Sequence, residues 1–288
     1  MTRSTSSRYA QPMTPEQVLA AWRRGGAARD RVLVSLSKED VLDWAARLLP
    51  GPVESRRLAA TLLGRSPHPE DALGLLRRLV ADGDRYTRGA AVQAGGDLLA
   101  RFFDEVYPIL GAWRTDPSPL VRRAVALIAG AAADPVRLDR VDPLLRLVSP
   151  LLADRALEVR TGVAAALIHA LFPAYPDDVF AQLTYWSASH DEQVLWHVAT
   201  ALGGAPPELA RRGLIVLRRV GLSGRRYVRA AVARALARLA ATSPDAVGAE
   251  LRRWLDDEER LPIARDALSR ISEGRGCAAA TASARPRA

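Results

Sequence analysis

Arginine is concentrated in one segment of the chain. Residues 205–238 hold nine arginines, and Glu208 is the only acidic residue among them. The 288 residues carry a formal net charge of +9, so this segment accounts for most of the excess. Guanidinium groups at such density repel one another unless an anion lies between them. The segment therefore indicates a surface for a polyanion, of which nucleic acid is the commonest; a solvated helix face is the alternative.

The spacing of these arginines indicates which of them act together. Arg211 and Arg218 are seven residues apart and so share one face of a helix. Arg225, Arg226 and Arg229 crowd the turn and the helix start that follow. These five residues are therefore the members of the segment expected to contact a ligand.

Two aromatic side chains precede the segment and could contact the same ligand. Trp196 and His197 lie near the start of a helix, where they could stack on a base. Packing in the core is the alternative and the commoner role. The complete predicted ligand-binding surface is Trp196, His197, Arg211, Arg218, Arg225, Arg226 and Arg229.

The residue types exclude several classes of enzyme. Lys38 is the only lysine and lies between Ser37 and Glu39, so neither a Walker A phosphate loop nor the protein-kinase motifs can be present. Cys277 is the only cysteine, which rules out a thiolate metal cage and an intrachain disulfide. The four histidines form no HExxH pair. We expect no catalytic residue, no metal and no cofactor.

The sequence favours a cytoplasmic protein. The longest strictly apolar run, residues 124–133, is about ten residues and too short to span a bilayer. The first ten residues lack the apolar stretch of a secretory signal. We therefore expect a cytoplasmic monomer without membrane contact.

A repeat organises the chain. Seven segments begin with a turn and continue as an alanine-rich helix, and the same position can be marked in each at spacings of 32 to 38 residues. Arginine occupies six of these marker positions and leucine the other: Arg56, Arg88, Arg122, Arg160, Leu195, Arg229 and Arg265. We expect the marker arginines to bind an aspartate or a backbone carbonyl of the neighbouring unit.

A second amphipathic helix is predicted between successive markers. Apolar residues recur at i, i+3 or i+4 and i+7 in five segments, and proline or an acidic residue stands near each start. These segments are 69–80, 103–113, 142–153, 176–186 and 244–255. Glycines 64, 95, 130 and 203 are expected to end the marker helices.

These patterns predict an all-α fold, a right-handed α-solenoid of about seven HEAT-like helix–turn–helix repeats over residues 13–272. Residues 1–12 are expected to be a flexible N-terminal tail. Residues 273–288, a low-complexity stretch, are expected to be a disordered and dispensable C-terminal tail.

The last repeats resemble a family of repair enzymes. The segment RYVRAAVARALARLAATSPDAVGAELRRWLDDEERLPIARDAL, residues 226–268, is similar to the C-terminal units of the HEAT-like-repeat alkylpurine DNA glycosylases. Gly96-Asp97 through Trp113 is similar to the middle of that family. In the family, an aspartate and two aromatics in the concave groove carry base excision.

The positions that carry this chemistry are not kept. In the register of Gly96-Asp97 and Trp113, the aspartate falls at Arg88, and the two aromatics fall at Asp84 and Arg234. Asp84 or Asp97 could serve as the catalytic acid only after a shift of register. The resemblance implies the architecture and DNA as a ligand, without the excision chemistry.

The sequence thus predicts a non-enzymatic HEAT-repeat scaffold with a localised arginine-rich surface that binds nucleic acid, DNA foremost, or an acidic protein. Two alternatives stay open. One is a DNA glycosylase acting on alkylated bases, and the other is a pure protein–protein adaptor.

Overall fold

The computed structural model describes residues 14–36 and 41–283, with side chains omitted at 33, 35 and 274–283. All regular structure in these ranges is helical, so the prediction of an all-α fold is confirmed. The predicted tail of residues 1–12 lies outside the described residues. Two compact units are present, Met1–Val106 and Tyr107–Ala288.

The first unit is built from short helix pairs. In chain order its helices are α1 (Pro15–Arg24), α2 (Gly26–Leu36), α3 (Val41–Leu48), α4 (Val53–Leu63), α5 (Pro69–Leu79) and α6 (Arg85–Arg101). Helix α7 (Phe103–Trp113) begins close to the end of this unit. Helix α4 packs against α3, α5 and α6. Leucine and alanine side chains on α4, such as Leu58 and Ala59, are fully buried in these contacts.

The second unit continues the pattern. Its helices are α8 (Pro119–Ala131), α9 (Val141–Val148), α10 (Leu157–Ala166), α11 (Phe172–Ala174), α12 (Pro176–Trp186), α13 (Glu192–Leu202), α14 (Pro207–Val220), α15 (Arg226–Thr242), α16 (Pro244–Leu255) and α17 (Leu261–Ser283). A π-helical turn, Leu167–Leu171, joins α10 to α11. Helices α8, α10, α13, α15 and α17 pack on one another in that order.

The seven marker positions fall at equivalent places in seven helices. Each marker is the fourth residue of its helix, except Arg265, which is the fifth residue of α17. The intervening segments 103–113, 176–186 and 244–255 are helices with those same bounds. The prediction of stacked HEAT-like helix pairs, an α-solenoid, is confirmed; its handedness stays a prediction.

The intervening segment 142–153 departs from a continuous helix. It is α9 followed by a 3₁₀ turn, Ser149–Ala153. Pro150 cannot donate a hydrogen bond to the carbonyl of Arg146, which weakens the helix at this point, and the α-helix ends at Val148. The guanidinium of Arg114 supplies that hydrogen bond instead, with Nη1 3.1 Å from the Arg146 carbonyl oxygen.

Two of the four glycines that were expected to end helices do so. Gly64 and Gly203 cap α4 and α13, whereas Gly95 and Gly130 lie inside α6 and α8. At Gly203 the next helix is so close that an added Cβ would lie 3.0 Å from the Cα of Ala235. The close approach of two successive marker helices therefore accounts for glycine at position 203 better than the ending of a helix does.

Two of the six marker arginines, Arg56 and Arg122, bind an aspartate of the neighbouring repeat, as the sequence predicts. Arg56 binds Asp82 through two hydrogen bonds of 2.6 and 3.1 Å, and Arg122 binds Asp154 through two of 2.6 and 3.2 Å. Arg88 instead donates to a carbonyl in the turn before its own helix, that of Asp82, at 2.7 Å, so this bond does not link two repeats. Burial raises the pKa of Asp154, but the hydrogen bond and charge of Arg122 outweigh it, so the pKa lies below its usual value.

The pairing of a marker arginine with an acid of the next repeat is interrupted in the middle of the second compact unit. The acids that receive the arginines stand six residues before the next marker, at Asp82 and Asp154. Ser189 occupies that position in the turn before α13. Its hydroxyl still accepts the N–H two residues on, at 3.0 Å from Asp191, as the Asp154 carboxylate does from Ala156. The turn is kept, but the carboxylate that would receive Arg160 is lost.

Helix α17 continues to Ser283, beyond the start of the predicted C-terminal tail at residue 273. Its side chains are described through Glu273, so the dispensability of residues 273–288 stays a prediction.

One helical stretch in the described residues, Leu157–Ala174, is long and apolar enough to cross a membrane by length and composition, and 44% of it is buried. It includes α10, which packs between α8 and α13. A core helix passes the same test, so the stretch is weak support for a membrane span.

Candidate nucleic-acid interface

The residues of the predicted ligand-binding surface line several cavities of the second unit. Six of the seven are distributed around four cavities, with volumes of about 290 to 610 Å³. Arg211 and Arg218 line the cavity between α14 and α16, and Arg226 and Arg229 the cavity between α15 and α17. Arg225 and Trp196 each line one of the other two. Binding of a ligand at these residues stays a prediction.

Several arginines of segment 205–238 are neutralised by acids from other segments. Both branches of the Arg218 guanidinium bind Glu250, each at 2.7 Å. Arg225 pairs with Glu192, and Arg212 lies 3.7 Å from Asp177. The excess charge counted along the sequence is thus partly cancelled, because neighbouring helices bring acids from about 32 to 35 residues away in the chain.

His197 is buried and cannot contact a ligand, which corrects its assignment to the surface. Its exposed fraction is 0%. Nδ1 lies 2.8 Å from the carbonyl oxygen of Gln193, and Nε2 lies 3.2 Å from that of Arg160. Burial is the main cause that lowers the pKa of His197 to about 4. The side chain is therefore neutral, and because a neutral imidazole carries one N–H it donates to only one of these two carbonyls.

Trp196, in contrast, lines a cavity formed by α10, α13 and α15. The cavity has a volume of about 290 Å³. Its polar and aromatic lining is Thr161, His169, Trp196, Thr200, Arg234 and Arg238; small and aliphatic side chains complete the wall. We call this the Trp196 cavity.

The local structure of α10 and α13 positions the lining of the Trp196 cavity. Asp191 caps α13 by accepting the N–H groups of Gln193 and Val194, which fixes the helix start four residues before Trp196. At the opposite wall, Pro173 lacks the N–H that would bind the carbonyl of His169, and the chain takes a π turn. Such turns are frequent at functional sites.

The indole of Trp196 is held from two sides. The guanidinium carbon of Arg160 lies over the ring, 5.0 Å from its centroid. The His197 ring meets it edge-on, with the centroids 5.0 Å apart. Arg160 has no carboxylate opposite it, because Ser189 has replaced the acid, and its buried Nε has no hydrogen-bond partner among the described residues. Because Arg160 has no carboxylate partner in the next repeat, its guanidinium is available to lie over the indole.

Arg234 is the only arginine in the described part of the chain for which a lowered pKa is found. Burial lowers the pKa of its guanidinium below the usual range, and the like charges of Arg270 and Arg238 lower it further, against the opposing charge of Asp266. Like charges one helical turn apart, as in Arg234 and Arg238, are destabilising by about 0.2–0.5 kcal/mol. The protein therefore holds these cations together at a cost in stability.

The neighbouring cavity between α15 and α17 extends this positive region. It has a volume of about 490 Å³, and its charged lining is Arg226, Arg229, Arg270 and Asp266. Among the described residues, five arginines and one aspartate line the two cavities, and that aspartate lies 2.9 Å from Arg270. We call Arg226, Arg229, Arg234, Arg238 and Arg270 the arginine cluster.

Sequence reasoning missed Arg234, Arg238, Arg270 and His169 as site residues. A signal for two of them exists in the repeat register. Five residues after the markers the chain has Thr61, Gln93, Leu127, Ala165, Thr200, Arg234 and Arg270. Arginine appears at this position only in the last two repeats, where the cavities lie.

Asp84 and Asp97, the candidates for a catalytic acid, have structural surroundings. Asp84 caps α6 and accepts the N–H and hydroxyl of Thr87 at 2.7 and 2.9 Å and Arg57 at 3.1 Å. Burial raises the pKa of Asp84, but these hydrogen bonds and the Arg57 charge hold it below its usual value. Asp97 is exposed and accepts a hydrogen bond of 3.2 Å from Gln93. Neither lines any of the four cavities.

No metal site is evident in the part of the chain that the structure describes, since no group of three or more His, Cys, Asp or Glu side chains is placed to hold an ion.

Comparison with known proteins gives similarity in structure alone. No protein-family model matches the sequence, and no curated protein is significantly similar to it. Among solved structures, YibA of Escherichia coli is 17% identical with a TM-score of 0.40, covering 94% of this chain and 99% of its own. A designed armadillo repeat protein is 19% identical with a TM-score of 0.38, covering 74% and 98%. At these values the interpretation of the fold depends on the helix pairs themselves.

Proposed function

We propose that the protein is a non-enzymatic scaffold that binds nucleic acid through the arginine cluster and the Trp196 cavity of its second unit. The observation that carries the proposal is the set of five arginines and one aspartate around two adjoining cavities. None of Arg229, Arg234 and Arg238 forms an ion pair with a described residue. A phosphate between these cations relieves their repulsion and accepts paired hydrogen bonds from guanidinium groups.

Nucleic acid accounts for more of the site than an acidic protein does. A carboxylate-rich partner needs cations alone, whereas the Trp196 cavity adds an indole, an imidazole and two hydroxyls beside Arg234 and Arg238. Bases stack on aromatic side chains while their phosphates bind arginine, which requires both groups in one place. The acidic-protein interpretation is the main competitor and is tested below.

The glycosylase alternative lacks a suitable acid at this site. Among the described residues no carboxylate lines the Trp196 cavity, and Asp266 next to it lies against Arg270. We expect the purified protein to release no alkylated purine from treated DNA. Excision that is lost in Asp84→Asn or Asp97→Asn would contradict a non-enzymatic role.

Salt dependence of binding tests the proposed function. Each phosphate contact contributes about −0.9 to the slope of log K against log salt on duplex DNA, or about −0.7 on a single strand. Five arginines therefore predict a slope of roughly −4. The double substitution Arg234→Ala/Arg238→Ala should flatten it by about two, as measured by fluorescence anisotropy with labelled DNA.

The matched control is Arg78→Ala/Arg252→Ala, which removes two exposed arginines from α5 and α16 and should leave the slope unchanged. Equal effects of both double variants, or no binding near physiological salt, would contradict the proposal. Binding of poly-glutamate that competes with DNA at equal charge would favour the acidic-protein partner instead. Thermal stability of each variant is measured alongside.

A further inference from the structure

The geometry points to a single-stranded nucleic acid as the ligand, with one unstacked base in the Trp196 cavity and its flanking phosphates on Arg234 and Arg238. This inference rests on the proposed function and adds the strand state that the site selects. It follows from the size of the cavity, the fixed position of the indole and the placement of the arginines around it.

The cavity is large enough to take a single base. Its volume of about 290 Å³ is just below the roughly 300–1,000 Å³ typical of pockets for drug-sized molecules. A duplex presents its phosphates and the edges of its bases, and the face of a paired base can stack on an indole only after the base leaves the helix, at a cost of a few kcal/mol. A flat basic face would be sufficient for a duplex, and a cavity beside the arginines adds nothing to it.

The indole is already fixed where a base would meet it. Arg160 lies over the Trp196 ring, and the buried His197 ring meets its edge while its one N–H donates to a backbone carbonyl. Thr200 binds the backbone carbonyl of Trp196 at 2.7 Å. A side chain held in this way loses little conformational entropy when a base stacks on it.

The walls offer hydrogen-bond acceptors next to the indole. The hydroxyl protons of Thr161 and Thr200 are donated to carbonyl oxygens of their own helices, at 3.0 and 2.7 Å. The oxygen lone pairs of both hydroxyls therefore stay available for an N–H of a base. His169, which is exposed on the opposite wall, can act as donor or acceptor.

The arginines lie where the backbone of a stacked strand would run. Arg234 and Arg238 are one turn apart on α15 and line the same cavity as the indole, and Arg270 of α17 is close enough to affect the pKa of Arg234. A strand that places one base at Trp196 can thus bring successive phosphates onto the arginine cluster. Binding by base stacking and by phosphate contacts is then combined in a single strand.

The test compares three labelled probes of equal length: a single-stranded oligothymidylate, the corresponding duplex, and an oligomer in which abasic sites replace the bases. We expect the full-length protein to bind the single strand about 10- to 100-fold more tightly than the abasic oligomer, the range expected for stacking of one base. The duplex should bind with the weaker affinity of a phosphate-only contact. An oligouridylate distinguishes RNA from DNA as the source of the strand.

Substitution of the indole provides the second measurement. Trp196→Ala should remove the preference for the single strand over the abasic oligomer without changing the salt slope, whereas Trp196→Phe should keep most of it. The abasic comparison uses the unchanged protein, so it is decisive even if Trp196→Ala fails to fold. Equal affinity for the single-stranded and abasic oligomers would overturn the inference. If those affinities are equal and Arg234→Ala/Arg238→Ala weakens binding to all three probes, the proposed function would stand without the inference about a single strand. Absence of binding to every probe would overturn both.

Discussion

Arg218 of α14 and Glu250 of α16 form a two-pronged ion pair, with Nε–Oε1 and Nη2–Oε2 distances of 2.7 Å each. Glu250 also accepts a hydrogen bond of 2.6 Å from the indole of Trp254. The Glu250 side chain is 4% exposed and that of Arg218 is 41% exposed. Arg218 therefore balances a buried carboxylate, and its role is to stabilise the packing of two helices.

Arg218→Ala should lower stability and leave nucleic-acid affinity unchanged. Removal of one partner of a fully buried pair costs about 3–5 kcal/mol, and the exposure of Arg218 reduces this to about 2 kcal/mol. The measurement is urea unfolding followed by DNA binding of the folded fraction. The exposed Arg211→Ala is the control and should change stability by less than about 0.5 kcal/mol. A loss of affinity at unchanged stability would return Arg218 to the ligand-binding surface.

Ser189→Asp should restore the missing link to Arg160. In the equivalent position Asp154 binds the guanidinium of Arg122 through two hydrogen bonds, and the turn at Ser189 has the same backbone hydrogen bond. A carboxylate there should draw Arg160 from the indole and raise the free energy of unfolding by about 1 kcal/mol, the value of a charge-assisted hydrogen bond at a partly exposed site. Urea unfolding measures this change. Ser223→Asp is the control. Ser223 occupies the equivalent turn position of the next repeat, but the marker that would pair with a carboxylate there is Leu195, so this variant should not be stabilised.

His197 should make the stability of the protein depend on pH below neutrality. Its pKa is about 4 in the folded protein and about 6.5 when unfolded, so the unfolded state binds more protons in this range. Its contribution is complete above pH 6.5 and is lost as the pH falls toward 4, which amounts to about 3 kcal/mol. Urea unfolding at pH 7 and pH 4.5 measures the effect.

His197→Gln should be less stable at pH 7 and should show a smaller difference between the two pH values. His169→Gln, at an exposed position, is the control and should keep the pH dependence of the unchanged protein. The same pH dependence in His197→Gln as in the unchanged protein would contradict the assignment.

Gly203→Ala should destabilise the protein by about 1–3 kcal/mol, the usual cost of an overpacked contact. The added Cβ would lie 3.0 Å from the Cα of Ala235 and 3.3 Å from its Cβ, so the two helices must move apart. Gly74→Ala is the matched control, because no atom lies within 4 Å of its Cβ position inside α5. Alanine is the better helix former, so this control should gain about 1 kcal/mol in thermal or urea unfolding. Stabilisation at both positions would show that α13 and α15 can separate freely.

The helices and their repeat could be predicted because the signals are local. The positions of proline, the marker arginines and the apolar residues within each segment of about 35 residues were sufficient to place helices such as α7, α12 and α16 at their observed bounds. Even the pairing of Arg56 and Arg122 with turn acids followed from the register of the repeat.

The composition of the site was decided only by tertiary structure. Counting charges over residues 205–238 could not show that Glu250 and Glu192 neutralise Arg218 and Arg225, because those acids are distant in sequence and reach the arginines through helix packing. Nor could it show that Arg234 has cations of two helices for neighbours. The burial of a side chain also depends on tertiary structure. Trp196 and His197 are adjacent in the chain and point about 100° apart around the helix. The packing of other helices decides that one of these directions leads to a cavity and the other into the core.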